Sequence, residues 1–391
     1  MINILDKSKC SGCTACRSVC PVSAITMVKD NEGFEYPLAD PNVCIQCGLC
    51  NRVCPFENPS GNYDVIDSFG TMSNNLEERL ASSSGGVFSL FAANVISHGG
   101  IVYGVAMSED CEDAVFIRVD DLKDISRLRG SKYMQAHVGD TFINVKSDLE
   151  KGQIVLFSGT PCQVNGVTAF LDLRKVDRSN LICCDTVCHG VPSPEVWHKY
   201  KNYIEKKYIK KISSVNFREK DTGWKRFGIS YTDSEKSYKY IPLDKSTYLQ
   251  FFLKNLCLRE SCYHCEAKTS RSSDVTIADF WGIEKLYPEL NDDCGISLLI
   301  VRTEIGKRLA DSIIEKAIFK KVDLEKAVRY NSAERFSCKR PDARNGFFEY
   351  FLAHSYEAST IKYLGKYFAK LEIKSIIHYD KLKSLLRKRG G

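Results

Sequence analysis

The sequence predicts an α+β protein: a small cysteine-bound head, a mixed α/β body and a basic helical tail. Three observations carry this. Eight of the eighteen cysteines fall by residue 54, in two matched runs. Apolar runs bounded by turn residues then alternate with helical patterns along most of the chain. From Ala358 the apolar period is helical, and lysines and arginines fill the polar positions. At 391 residues the chain is long for one domain. The expected division is 1–60, 61–335 and 336–391.

The head comes first. Cys10, Cys13, Cys16 and Cys20 precede Pro21, and Cys44, Cys47, Cys50 and Cys54 precede Pro55. Each run reads C-x2-C-x2-C-x3-C-P, a two-cluster ferredoxin spacing in which the fourth cysteine serves the other cluster. One [4Fe-4S] cluster is therefore expected on Cys10, Cys13, Cys16 and Cys54, and a second on Cys44, Cys47, Cys50 and Cys20. Zinc sites prefer paired CxxC spacings split by a loop, not four cysteines twice over with trailing prolines. Between the runs, 25–28 reads as a strand, 31–33 as a turn and 34–36 as a return strand.

Composition narrows the class. The nine residues before Cys10 cannot hold a secretory h-region. Eighteen cysteines then point to cytoplasmic cofactor sites rather than a disulfide scaffold. The apolar stretch 85–107 is broken by His98-Gly99-Gly100 and reads as a buried helix and strand rather than a membrane span. The formal charge of +6 is modest, and no zinc finger, RNP motif or helix-turn-helix points to nucleic acid.

The body follows in order. Pro59-Ser60-Gly61 reads as a hinge, 64–72 as a strand and 77–80 as a short helix. Ser82-Ser83-Ser84-Gly85-Gly86 then leads into a helix over 87–96, which makes it either a plain cap or an anion cradle. A strand is expected over 101–105. Residues 154–157 form a buried-strand pattern broken by Ser158-Gly159-Thr160-Pro161-Cys162-Gln163, with a helix resuming from Val164. Ligands of α/β bodies gather at the carboxyl ends of strands, so Cys162 stands where a functional cysteine belongs. The strand over 181–184 runs on to Val187-Cys188-His189-Gly190, and prolines 192 and 194 separate it from a helix around 196–203. The lysine-rich segment 200–208 reads as the solvated face of a helix. Cys262-Tyr263-His264-Cys265 is a lone CxxC, open to a redox dithiol, half a zinc site or part of a cluster. The run 273–282 is a core strand ending at Asp279, Phe280, Trp281 and Gly282. Cys257 reads as a small buried hydrophobe, and Cys111, Cys294 and Cys338 receive no role.

Six stretches, in order, carry a family resemblance: SSSGGVFS from Ser82, RGSKYMQ from Arg129, LFSGTPCQVNG from Leu156, VCHGVPSP from Val187, SCYHC from Ser261 and SDVTIADFWGI from Ser273. The chain resembles the beta-subunit family of hydrogenases and dehydrogenases that use the deazaflavin coenzyme F-420, in its bacterial form with a fused dicluster ferredoxin. The resemblance implies FAD and a third [4Fe-4S] cluster, the latter on Cys162, Cys188, Cys262 and Cys265. It also implies flavin contacts from Ser83, Ser84, Gly85, Gly86, Ser131, Lys132, Tyr133, Thr160, Asp279 and Trp281. His189 and His264, beside the proposed ligands, are the candidate proton relays.

The function expected is a ferredoxin-coupled flavin and iron–sulfur oxidoreductase. It would pass electrons through the clusters to FAD and on to a small organic substrate, as in polysaccharide or cofactor tailoring. Two alternatives stand beside it: an electron-transfer subunit without its own substrate, and a deazaflavin coenzyme oxidoreductase. The expected partners are ferredoxin or another low-potential donor and the organic substrate. The tail over 358–389 fits a membrane surface, a protein partner or its own body. Self-association is not decided by the sequence.

Overall fold

A computed structural model describes residues 2–61 and 64–376. The head holds a hairpin, β1 (Ile25–Lys29) against β2 (Glu35–Ala39). The body supplies β3 (Asp67–Ser73), β4 (Ile101–Met107), β5 (Ala114–Val119), β6 (Ala136–His137), β7 (Val155–Gly159) and β8 (Leu181–Thr186). It continues with β9 (Ile212–Glu219), β10 (Gly228–Asp233), β11 (Tyr238–Pro242), β12 (Val275–Asp279), β13 (Ser297–Val301) and β14 (Ala317–Lys321). Nine strands form one sheet in the order β14-β3-β13-β12-β8-β7-β4-β5-β6, and β11-β10-β9 form a small antiparallel sheet.

The centre of the large sheet is parallel. β4 pairs with β7, β7 with β8 and β8 with β12, all in one direction. A parallel centre is covered on both faces, which is why these strands read as unbroken apolar runs. On one face the helices Val87–Ser97 and Glu304–Asp311 pack Phe91, Val95 and Leu309 onto Leu156 and Val301. On the other, Thr141–Glu150 and Pro161–Leu173 pack Phe142, Val145, Val164 and Val167 onto Val155 and Phe157. That second core also takes in Val19, Ile25 and Val53 of the head.

The head is built into the body. Phe34, fully buried, joins a third core with Trp197, Tyr200, Phe347 and Phe351. Burying such a ring is worth roughly 2–3 kcal/mol. Arg344 grips Glu32 of the head with two parallel bonds of 2.8 and 2.6 Å. Arg174 donates to Val19 O at 2.8 Å.

Three local expectations change. The segment read as a hinge is pinned: Ser270 and Ser272 both donate to Ser60 O, at 2.7 and 3.2 Å. The helix placed from Val164 begins at Pro161, so Cys162 sits in its first turn. Lys201, on the face read as solvated, is 2 % exposed and pairs with Glu112 at 2.7 Å and Glu205 at 3.1 Å. The described part of the tail packs on the body, where Glu372 accepts from Tyr200 and Thr247 N, both at 2.9 Å. Leu382, Leu385 and Leu386 lie outside the described residues. Among the described residues no helix is long and apolar enough to cross a membrane.

Candidate functional site

The parallel centre decides where the chemistry gathers. β7 ends at Gly159 and delivers Thr160 and Cys162; β8 ends at Thr186 and delivers Cys188 and His189; β12 ends at Asp279 and delivers Trp281. These strands run the same way, so all three loops open on one edge of the sheet.

The head cysteines form two groups. Cys13 and Cys16 each feel Cys10 and Cys54 electrostatically, which places these four together. Burial first, and then these neighbours, push the Cys13 thiol up to about 12. Such a thiol keeps its proton unless a metal takes its place. Cys20, Cys44, Cys47 and Cys50 instead line one small cavity with Val22, Ile25, Ile45 and Leu49. The grouping is the crossed one, with each fourth cysteine among the other run's first three. Cys47 is exposed, whereas Cys13 faces inward: a Cβ on Gly166 of the helix Pro161–Leu173 would lie 3.1 Å from its Sγ.

The body cysteines come from three loops. Cys162 feels Cys265 and Cys188, and Cys262 feels Cys188, Cys265 and Cys162. Burial, the dominant cause, pushes Cys162 up to about 12. Val191 N donates to Cys262 Sγ at 3.4 Å, and Thr160 Oγ1 lies 3.2 Å from Cys162 Sγ. Among the described residues no group of three or more His, Cys, Asp or Glu closes tightly enough for a single metal ion. Ligands of one ion converge to bonds of about 2.0–2.3 Å, whereas thiolates around a four-iron cube stand much farther apart. The donor set, all sulfur and partly buried, suits such a cube. Cys183 and Cys184 lie inside β8 and point into opposite cores, and Cys257 is buried in the third core. Cys338, given no role from sequence, sits beside the group with its Sγ 3.7 Å from Cys262 O.

A cleft of about 700 Å³ is lined by the serine–glycine loop and, of the body cysteines, by Cys188. That volume falls within the usual range for cofactor pockets. Ser83, Ser84, Gly86, Thr160 and His189 line it too, as do Ser131, Lys132, Tyr133, Asp279 and Trp281. Gly85 does not line the cleft but anchors its floor: its N donates to Ser297 Oγ at 3.0 Å, and a Cβ there would strike Thr71 O at 2.5 Å. Gly86, at φ +83, turns the chain into the helix Val87–Ser97. Ser83 and Ser131, distant in sequence, meet directly: Ser131 N donates to Ser83 Oγ at 2.8 Å.

The cations are arranged differently from the sequence expectation. Lys132 lines the cleft, but its ammonium donates to Arg127, Leu128 and Arg129 carbonyls at 3.3, 3.0 and 2.7 Å. Burial lowers its pKa to about 7. Of the donors lining the cleft, Asn331 Nδ2 has no partner among the described residues, and one unspent cationic donor belongs to Arg218 of β9. Its Nη2 holds Asp279 Oδ1 at 2.7 Å, while its buried Nε has no partner among the described residues. The Arg218 guanidinium lies 3.7 Å over the Phe227 ring, and Trp281 stacks on Trp224 at 5.0 Å. Lys220 ties the loop down through Ser84 O at 3.0 Å and Cys294 O at 2.8 Å. Arg218 and Lys220 fall in a stretch, NFREK, with no motif to mark them.

The two histidines part company. His189 lines the cleft; its Nε2 is 2.6 Å from Asn255 Oδ1, whose own Nδ2 donates to Lys339 O at 3.0 Å. That fixes the Asn amide and puts the His189 proton on Nε2. Burial lowers its pKa, so the ring is neutral with Nδ1 as an acceptor. His264 is exposed and is not among the residues that line the cleft.

Comparison with known proteins matches two segments of the chain. Residues 9–58 match the 4Fe-4S dicluster domain, and residues 152–327 match the family described as the C terminus of the coenzyme F420 hydrogenase/dehydrogenase beta subunit. The F subunit of the F(420)H(2) dehydrogenase of Methanosarcina mazei is 24% identical over 79% of this chain and 84% of its own length. The coenzyme F420-dependent sulfite reductase of Methanocaldococcus jannaschii is 21% identical over 95% of this chain, which spans 57% of that protein. A chain of the F420-reducing [NiFe] hydrogenase complex of Methanosarcina barkeri superposes with a TM-score of 0.48 at 13% identity, over 70% of this chain and 92% of that one. This is an iron–sulfur electron-transfer protein in which a 4Fe-4S dicluster domain is fused to a body related to the beta subunits of coenzyme F420 hydrogenases and dehydrogenases.

Proposed function

We propose that the chain is an iron–sulfur flavoprotein that carries electrons between a low-potential protein donor and a two-electron organic carrier of the deazaflavin kind. A third cluster on Cys162, Cys188, Cys262 and Cys265 and an FAD in the cleft complete the path. The single observation that carries this reading is one cleft lined by the Ser83–Ser131 contact and by Cys188 and Thr160. A ligand filling it meets both the polar serine–glycine cradle and Cys188. When bound, the clusters supply one-electron exchange and FAD supplies its conversion to hydride chemistry.

The chain's own residues do the rest. Arg218 offers its free Nε–H and a positive charge, braced by Asp279, to an electron-rich edge of the ligand. Trp281 and Phe227 give the cleft an aromatic lining. His189 Nδ1 is placed to accept a proton inside the cleft, while its Nε2–H stays with Asn255. The relatives named for coenzyme F420 support deazaflavin as the organic partner over a tailoring substrate, for which no dedicated pocket feature speaks.

Anaerobic purification with iron, sulfide and flavin analysis tests the reading. The expected result is about twelve irons and one FAD per chain. Reduction of the deazaflavin coenzyme with reduced ferredoxin as donor should follow. About eight irons with no flavin would overturn the body assignment; a full complement with no deazaflavin turnover would overturn the choice of carrier.

A further inference from the structure

Among the described residues, one buried cation touches both cysteine systems. Arg259 precedes the Cys262–Cys265 pair and is wholly buried. Its Nε donates to Cys10 O at 2.7 Å, and one Nη2 hydrogen points at Cys10 Sγ from 3.6 Å. Its other acceptors are Glu35 O at 2.9 Å and Gln135 Oε1 at 2.8 Å. The guanidinium lies 4.1 Å over the Tyr36 ring. Meanwhile its backbone belongs to the body site: Arg259 N donates to Val191 O at 3.1 Å, and Cys262 N donates to Arg259 O at 2.9 Å.

These partners are carbonyls, an amide and a thiol. The Glu35 carboxylate acts on the guanidinium only from beyond hydrogen-bond range. A buried guanidinium whose direct partners are all neutral is costly, so its position suits a negative group in direct contact. The Cys10 thiolate of a loaded cluster is that group. A cation donating to a ligand sulfur favours the more negative, reduced cluster and raises its potential. The second head group has no counterpart. Among the described residues the hydrogen bond to Cys20 Sγ comes from Ala24 N, and no cation donates to Cys44, Cys47 or Cys50. The asymmetry matches exposure, since Cys47 faces solvent while Cys13 abuts the body helix at Gly166.

We propose that Arg259 sets the reduction potential of the inner head cluster, held by Cys10, Cys13, Cys16 and Cys54, above that of the outer one. An electron delivered by a low-potential protein to the outer cluster then moves on to the inner one. The outer cluster is reoxidised, the inner one is reduced, and the electron is held where it faces the body. Arg259 is a positioning residue in this scheme, because it acts through the Cys10 sulfur. The proposal rests on the dicluster head alone and stands whether or not the body carries FAD.

The test is an EPR-monitored redox titration of the full chain, reconstituted anaerobically, as wild type, R259M and R259K. In R259M one head cluster should titrate at a lower potential by at least tenfold in its one-electron equilibrium, about 59 mV, with the other head cluster unmoved. R259K keeps the charge but not the planar donor, and should shift the same cluster in the same direction by less. If R259M fails to hold its iron, R259K decides. Unchanged potentials at full iron content, or equal shifts of both head clusters, would overturn the proposal. An iron count near eight would remove the body cluster from the scheme without touching this result.

Discussion

His137 shows how a single side chain ties the head to the body. Its Nδ1 is 3.1 Å from Glu35 of the head, and its Nε2 is 3.2 Å from Asp113 of β5's lead-in loop. His198 reaches the same Asp113 oxygen at 3.4 Å. The Asp113 bond first, and then Glu35, raise the His137 pKa from 6.5 to about 9. A raised pKa means that the folded state holds the proton more tightly. The stabilisation is therefore complete below about pH 6.5 and fades as pH rises through 9. It is worth on the order of 2 kcal/mol after allowing for partial exposure. Melting of wild type and His137→Gln across pH 6–10 should show the variant less stable at pH 6, with the difference shrinking from pH 6.5 to 9 and largely gone above 9; a difference independent of pH would refute this. At this scale the sequence was half legible. The eight head cysteines stand out by their spacing, and Cys162 by its place after a strand. Arg218, Arg259 and His137 carry no motif, because their roles come from contacts across more than a hundred residues or from an unmatched buried atom.

The helix Pro161–Leu173 is the element on which the two cysteine systems meet. Pro at its first position suits the start of a helix, where the missing N–H costs nothing. Gln163 Oε1 accepts from Thr160 N at 2.9 Å, closing the first turn around Cys162. One turn later Gly166 leaves room for the head: a Cβ there would sit 2.9 Å from Cys13 Cβ. The expected cost of Gly166→Ala is about 1–3 kcal/mol from overpacking, together with loss of iron from the inner head cluster. Gly346→Ala, whose Cβ would meet only Tyr363 Oη at 3.7 Å, is the control and should change neither. Iron content and thermal denaturation read both effects; equal behaviour of the two variants would show that Gly166 is only a helical glycine. The sequence placed the strand and the break correctly, but started the helix late. A run of Gly, Thr and Pro reads as a loop unless the capping contact from Gln163 is known. The smallness of Gly166 had no visible reason at all, since its neighbour lies more than a hundred residues away.

At the scale of the whole molecule, the head is part of the folding unit rather than a tethered lobe. It contributes Phe34 to one core and Val19, Ile25 and Val53 to another, and Pro59-Ser60-Gly61 is held to the body by Ser270 and Ser272. Motif spacing identified the head as a unit, but motifs say nothing about which of its outer faces is apolar enough to be buried. A fixed head keeps the inner cysteines at one distance from Cys162, so that under the proposed function electron passage needs no docking motion. Glu32 is the point at which to test this. Its carboxylate and that of Glu260, 3.3 Å away on the other side, share the buried Arg344. Removing one partner leaves the guanidinium half-paired, at a cost of about 1–3 kcal/mol given that Glu32 remains partly exposed. In the wild-type holoprotein, loss of the cluster absorbance and loss of far-ultraviolet dichroism should coincide on heating, as for one cooperative unit. In Glu32→Ala the absorbance should be lost first, because the head loosens before the sheet melts. Two separate transitions already present in wild type would mean that the head folds alone, and the fixed inner distance would then have to be replaced by a head that docks and leaves.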